Sequence, residues 1–131
     1  MQTLYNILFI AIIMLLLDRI YIQYIVLPMG FGKMIQNIQG SPMTVDLFAA
    51  IACYITLILT LWYFIVYQNK SIFDAFLLGL AIYAVYELTN YATIKKWNLR
   101  ILLTDILWGG TLFALTTFFL HMFNKTPIVF N

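Results

Sequence analysis

Four long apolar stretches fill this chain, and its polar residues gather in the gaps between them. The first runs from about Leu4 to Leu27 and is interrupted only by Asn6, Asp18, Arg19 and Gln23. Three more follow at about 45–67, 72–93 and 98–121. About 20 apolar residues in helical conformation suffice to cross a bilayer core. The pattern therefore predicts an all-α integral membrane protein, a bundle of four transmembrane helices forming one membrane domain over residues 1–131. No Lys or Arg precedes Leu4 and no small-residue cleavage site follows Leu27, so the first stretch reads as an uncleaved span rather than a signal peptide.

The connections carry their own signals. Pro28, Gly30, Gly32, Gly40 and Pro42 break the longest one, Pro28 to Thr44. Within it Phe31, Met34, Ile35 and Ile38 recur at helical spacing, which predicts a short amphipathic segment at the interface or packed over the mouth of the bundle. Asp46 opens the second span, where a carboxylate suits the helix dipole. Ala49, Ala50, Cys53, Thr56 and Thr60 make a stripe of small residues of the kind that lets membrane helices approach. Trp62, Tyr63 and Tyr67 resemble an interfacial aromatic belt at its other end. Gln68 to Ser71 form a polar turn, and Ser71 with Asp74 predicts a capping box. The residues from Met122 to Asn131, with Lys125 and Pro127, read as a short surface tail.

Composition agrees and narrows the field. The 131 residues are 64% hydrophobic and 9% charged, which excludes an ordinary soluble domain. A net charge of +2 is too small and scattered for a nucleic-acid partner. With one cysteine and one histidine, Cys53 and His121, no disulfide and no Cys/His zinc pattern can be assembled, and no cofactor is expected. Short connections make successive helices antiparallel, which brings both termini to one side. Lys33, Lys95, Lys96 and Arg100 lie at the other side against Lys70 and Lys125, so positive-inside counting predicts non-cytoplasmic termini.

The chemistry concentrates where charge is costly. Asp18, Glu87 and Asp105 each fall roughly 9–14 Å below one membrane face by helical rise, with Asp46 near that face as well. Of the five acids, only Asp74 lies at the opposite side, near His121. Helical spacing groups Gly79, Tyr83, Glu87 and Asn90 on one face of the third span, and Asn98, Leu102, Asp105, Trp108 and Gly109 on one face of the fourth. These faces predict a pocket lined by Asp18, Tyr83, Glu87, Asn90, Asp105 and Trp108, with Arg19 and Arg100 as charge partners. The bland alternative is that the same groups act as buried glue fixing helix register. On that view Trp97 is an interface anchor, Trp108 a core residue and His121 an interfacial one.

The run Tyr86-Glu87-Leu88-Thr89-Asn90-Tyr91-Ala92-Thr93, then Trp97, then Asp105-Ile106-Leu107-Trp108-Gly109, resembles the membrane family known as domain of unknown function 2177, with bacterial and viral members. Its motif is an acid-Leu-Thr-Asn-x-Ala-Thr run, a tryptophan a few residues on, then Asp-x-x-Trp-Gly, with an aspartate late in the first helix that matches Asp18. The resemblance covers essentially the whole chain. The family commonly has Asp where this chain has Glu87, one carbon longer. What it implies is a four-span architecture and the importance of these residues; it implies no particular activity.

Three functions are compatible with such a pocket. Acids facing a bundle interior suit binding or transport of a small cation, a proton or a small polar solute, with a homo-oligomer expected because four helices are few for a carrier. Confinement to one leaflet suits an enzyme acting on lipid or isoprenoid, with Glu87 and Asp105 as acid and base, and a Mg2+ held by Asp18, Glu87 and Asp105 is conceivable. A non-catalytic structural protein is the third. Binding or transport ranks first, and an enzyme is the less expected outcome.

Overall fold

The computed structural model describes residues 1–126 and 130–131. It is all-helical: α1 (Gln2–Tyr21), α2 (Phe31–Gln39), α3 (Leu47–Leu61), α4 (Ile72–Thr93) and α5 (Leu99–Phe123). Two of these run on into a single π-helical turn, α1 through Ile22–Val26 and α3 through Trp62–Val66. With those turns included, four helices of 20 to 25 residues are long and apolar enough to cross a membrane. The four predicted stretches are these four helices, with ends shifted by about two residues; the part of the predicted tail at 127–129 lies outside the described residues.

The ends are built as the local chemistry requires. Asp46 caps α3, its Oδ1 accepting from the Ala49 amide at 3.0 Å. The Asp74 amide donates to Ser71 Oγ at 3.0 Å and the Ser71 amide to Asp74 Oδ2 at 3.2 Å, so the capping box is reciprocal. Asn98 caps α5 through the Ile101 amide at 3.0 Å. Gly30 and Gly40, at φ of 103° and 78°, bracket α2 in left-handed conformations that a side chain would strain.

The long helices pack in the order α3, α1, α5, α4. One core joins Ile10 and Met14 of α1, Leu57, Ile58 and Leu61 of α3, and Leu112, Phe113 and Leu120 of α5. The tightest seam is between α4 and α5. A Cβ on Gly79 would lie 2.1 Å from the Gly109 carbonyl oxygen, and one on Gly109 would lie 2.3 Å from the Tyr83 ring. The small-residue stripe of α3 does not perform this task. Ala49, Cys53 and Thr56 are exposed, because α3 meets the bundle through Leu57, Ile58 and Leu61 instead. Between α3 and α4 the backbones scarcely approach, so the fourth side of the bundle stays open.

Outward faces are as apolar as the core. Leu8, Ile12 and Leu16 of α1, Phe48, Ile51 and Ile55 of α3, and Leu103 and Leu107 of α5 are all exposed, as a lipid-facing surface requires. The N-terminal end of α1 packs on the C-terminal end of α5: Asn124 Nδ2 donates to Asn6 Oδ1 at 3.1 Å, and the Phe9 and Phe123 rings sit 5.0 Å apart. At the opposite end α2 lies across the bundle, with Met34 buried against Trp97, Ile101 and Leu102. The amphipathic segment is thus a helix, and it covers the bundle mouth.

Candidate functional site

Three carboxyl groups lie in one neighbourhood beneath α2, joined in part through aromatic side chains. The glycine seam explains how two of them do so. Counting from the Gly79–Gly109 contact, Glu87 lies ~12 Å up α4 and Asp105 ~6 Å up α5. Side chains lean towards the N-terminus of their own helix, so in antiparallel neighbours Glu87 leans down and Asp105 leans up. The two acids thereby become neighbours across the seam. Glu87 is fully buried. Its Oε1 accepts from the Trp97 indole N–H at 2.9 Å, while its Oε2 is enclosed without a conventional donor.

Asp105 Oδ1 accepts from the Tyr21 hydroxyl at 2.9 Å. Asp18, 7% exposed, has both oxygens engaged: Oδ1 accepts from the Trp108 indole N–H at 2.9 Å, and Oδ2 from the Tyr54 hydroxyl. The Tyr21 ring stacks on Trp108 with centroids 4.6 Å apart and planes 8° from parallel. One aromatic pair thereby ties Asp18 to Asp105. Above them, Trp97 is held edge-on by Phe31 at 6.3 Å and Tyr86 at 6.2 Å. Lys96 Nζ donates to the Asn37 carbonyl at 3.0 Å and fastens α2 over the site.

A crevice of about 410 Å³ opens onto this cluster. Asp18, Tyr21, Tyr83 and Asp105 form its polar wall, and Ile22, Val26, Leu57 and Ile82 its apolar wall. Exposed Cys53 of α3 and exposed Tyr86 of α4 stand at its rim, on the side where those two helices do not pack. The crevice thus lies between α3 and α4, beneath Phe31 of α2.

Of the residues expected to form the pocket, Asp18, Tyr83 and Asp105 line the crevice. Glu87 stands behind Asp105 and does not reach the lining. Trp108 acts through its bond to Asp18, and Asn90 is half-buried one turn beyond Glu87. Arg19 and Arg100 are exposed, and the expected charge pairing is replaced by neutral donors. The physical reason is that phenol and indole rings enter an apolar bundle at little desolvation cost, whereas a guanidinium does not. Among the described residues no three Asp, Glu, His or Cys side chains converge as a metal site. Two partners escaped the sequence reading. Tyr54 sits in mid-span rather than in an aromatic belt, and that depth was its signal. Trp97, read as an interface anchor, is the donor to Glu87.

The family model described as a predicted membrane protein, DUF2177, matches residues 3–121. The chain belongs to this family. No curated protein and no solved structure matches it.

Proposed function

We propose that this membrane protein binds a small cation, a proton or a small polar solute in a one-leaflet pocket reached from the bilayer between α3 and α4. One observation carries the reading. Asp18 and Asp105 face a crevice in an apolar bundle, and their donors are all neutral. Negative charge enclosed without a counter-charge is costly, and a positive or proton-donating ligand relieves it. The packed core between Ile10, Leu61 and Leu120 supports occupancy from one side over free passage. The excess of Lys33, Lys95, Lys96 and Arg100 at the site's end supports a cytoplasmic position for it, with both termini non-cytoplasmic.

Proteoliposomes under an imposed pH gradient provide the test, with wild type beside Asp105→Asn. Saturable proton or cation uptake that is lost in a well-folded Asp105→Asn protein supports the proposal. Uptake indifferent to that substitution overturns it.

The nearness of Glu87 to Asp105 favours a second reading, acid–base chemistry on a lipid or isoprenoid substrate entering by the same opening. Incubating the pure protein with defined lipids, followed by mass spectrometry, would then reveal a product that Asp105→Asn does not form.

A further inference from the structure

The three acids of the site are not equivalent. Glu87 has no exposure and no place on the crevice wall, whereas Asp18 and Asp105 both face it. Glu87 stands behind Asp105, its Oε1 held by the Trp97 indole and its Oε2 enclosed. Asp105 and Asp18 are the acids presented to the ligand.

The ligand's class follows from what surrounds those charges. A hard divalent ion takes about six to eight oxygens, but both oxygens of Asp18 and one of Asp105 already accept from Tyr54, Trp108 and Tyr21. The rest of the crevice offers Leu57, Ile82 and the rings of Tyr83 and Tyr86. Aromatic faces attract organic cations, and a volume of about 410 Å³ accepts a small ligand body. We infer that the crevice recognises an organic monocation with an apolar body, an amine or quaternary ammonium held by Asp18 and Asp105. This rests on the binding-pocket reading above.

The test is calorimetric titration of the full chain in lipid nanodiscs with benzyltrimethylammonium, its neutral isostere neopentylbenzene, and Mg2+. Saturable binding is expected for the first alone. Asp105→Asn is expected to weaken it about tenfold or more. Asp18→Asn is expected to do likewise. Circular dichroism and monodispersity first establish that each variant folds.

Equal binding of the neutral isostere, competition by Mg2+, or undiminished binding in Asp105→Asn would overturn the inference. Failure of benzyltrimethylammonium to bind, with Asp105-dependent proton uptake intact, overturns this ligand class and leaves the pocket reading standing. Failure of both overturns both.

Discussion

Trp97 shows how a membrane interior accommodates an acid without a base. Its indole N–H meets Glu87 at 2.9 Å, and its ring is packed by Phe31 and Tyr86. Trp97→Phe keeps the packing and removes the donor, leaving a second buried oxygen without a partner. Such a loss costs about 1–3 kcal/mol, so the variant should melt several degrees lower in detergent while remaining helical. Trp108→Phe should act similarly through Asp18, and should also free the Tyr21 ring to shift. The acids themselves were legible in the sequence, since a charge in an apolar run is conspicuous. Their partners were not. Among nine tyrosines and three tryptophans nothing local marks which hydroxyl or indole turns inward. Hydropathy treats each ring as apolar or interfacial and does not register its polar tip.

At the level of helices, the seam of Gly79, Gly109 and Gly110 decides the geometry. A methyl on Gly79 would press into the Gly109 carbonyl, which is backbone and cannot turn aside. Gly79→Ala should therefore destabilise by about 1–3 kcal/mol and, by spreading α4 from α5, weaken any binding that depends on Asp105. Gly32→Ala, where a Cβ would meet only Leu27 at 3.8 Å, should change neither. Thermal unfolding of the two variants side by side checks both expectations. Periodicity located all four spans and their caps because those signals are local. It favoured the small residues of α3 for close approach, since Ala49, Cys53 and Thr56 make a longer stripe than three glycines do. Which stripe finds a partner depends on tertiary order, and composition along one helix does not contain that. The two π-helical turns were equally silent in the sequence, as each adds one residue to an otherwise unbroken apolar run.

Across the whole molecule the helices form an incomplete ring, closed by α1 and α5 and open between α3 and α4. The sequence supplied the number of helices and the shared depth of the acids, but not their lateral order, and the crevice is a product of that order. The contacts of Asn6 with Asn124 and of Phe9 with Phe123 bring the two termini together. In a Cys53→Ser background, single cysteines at Gln2 and Asn131 should label with a membrane-impermeant maleimide from the same side of a sealed vesicle, and one at Gln36 of α2 from the other. Labelling of Gln2 and Asn131 from opposite sides would contradict the bundle.

The glycine seam also bears on how the length of this chain can change. Glu87 stands eight residues from its contact glycine and Asp105 four from its own. One inserted residue in either interval would turn the carboxyl about 100° around its helix, out of the cluster and onto the greasy outer wall. Even seven inserted residues, which restore the bearing, would lift it by ~10 Å. Loops can lengthen and tails can be trimmed, but these two intervals are rulers, and the molecule tolerates a changed letter in them far more readily than a changed count.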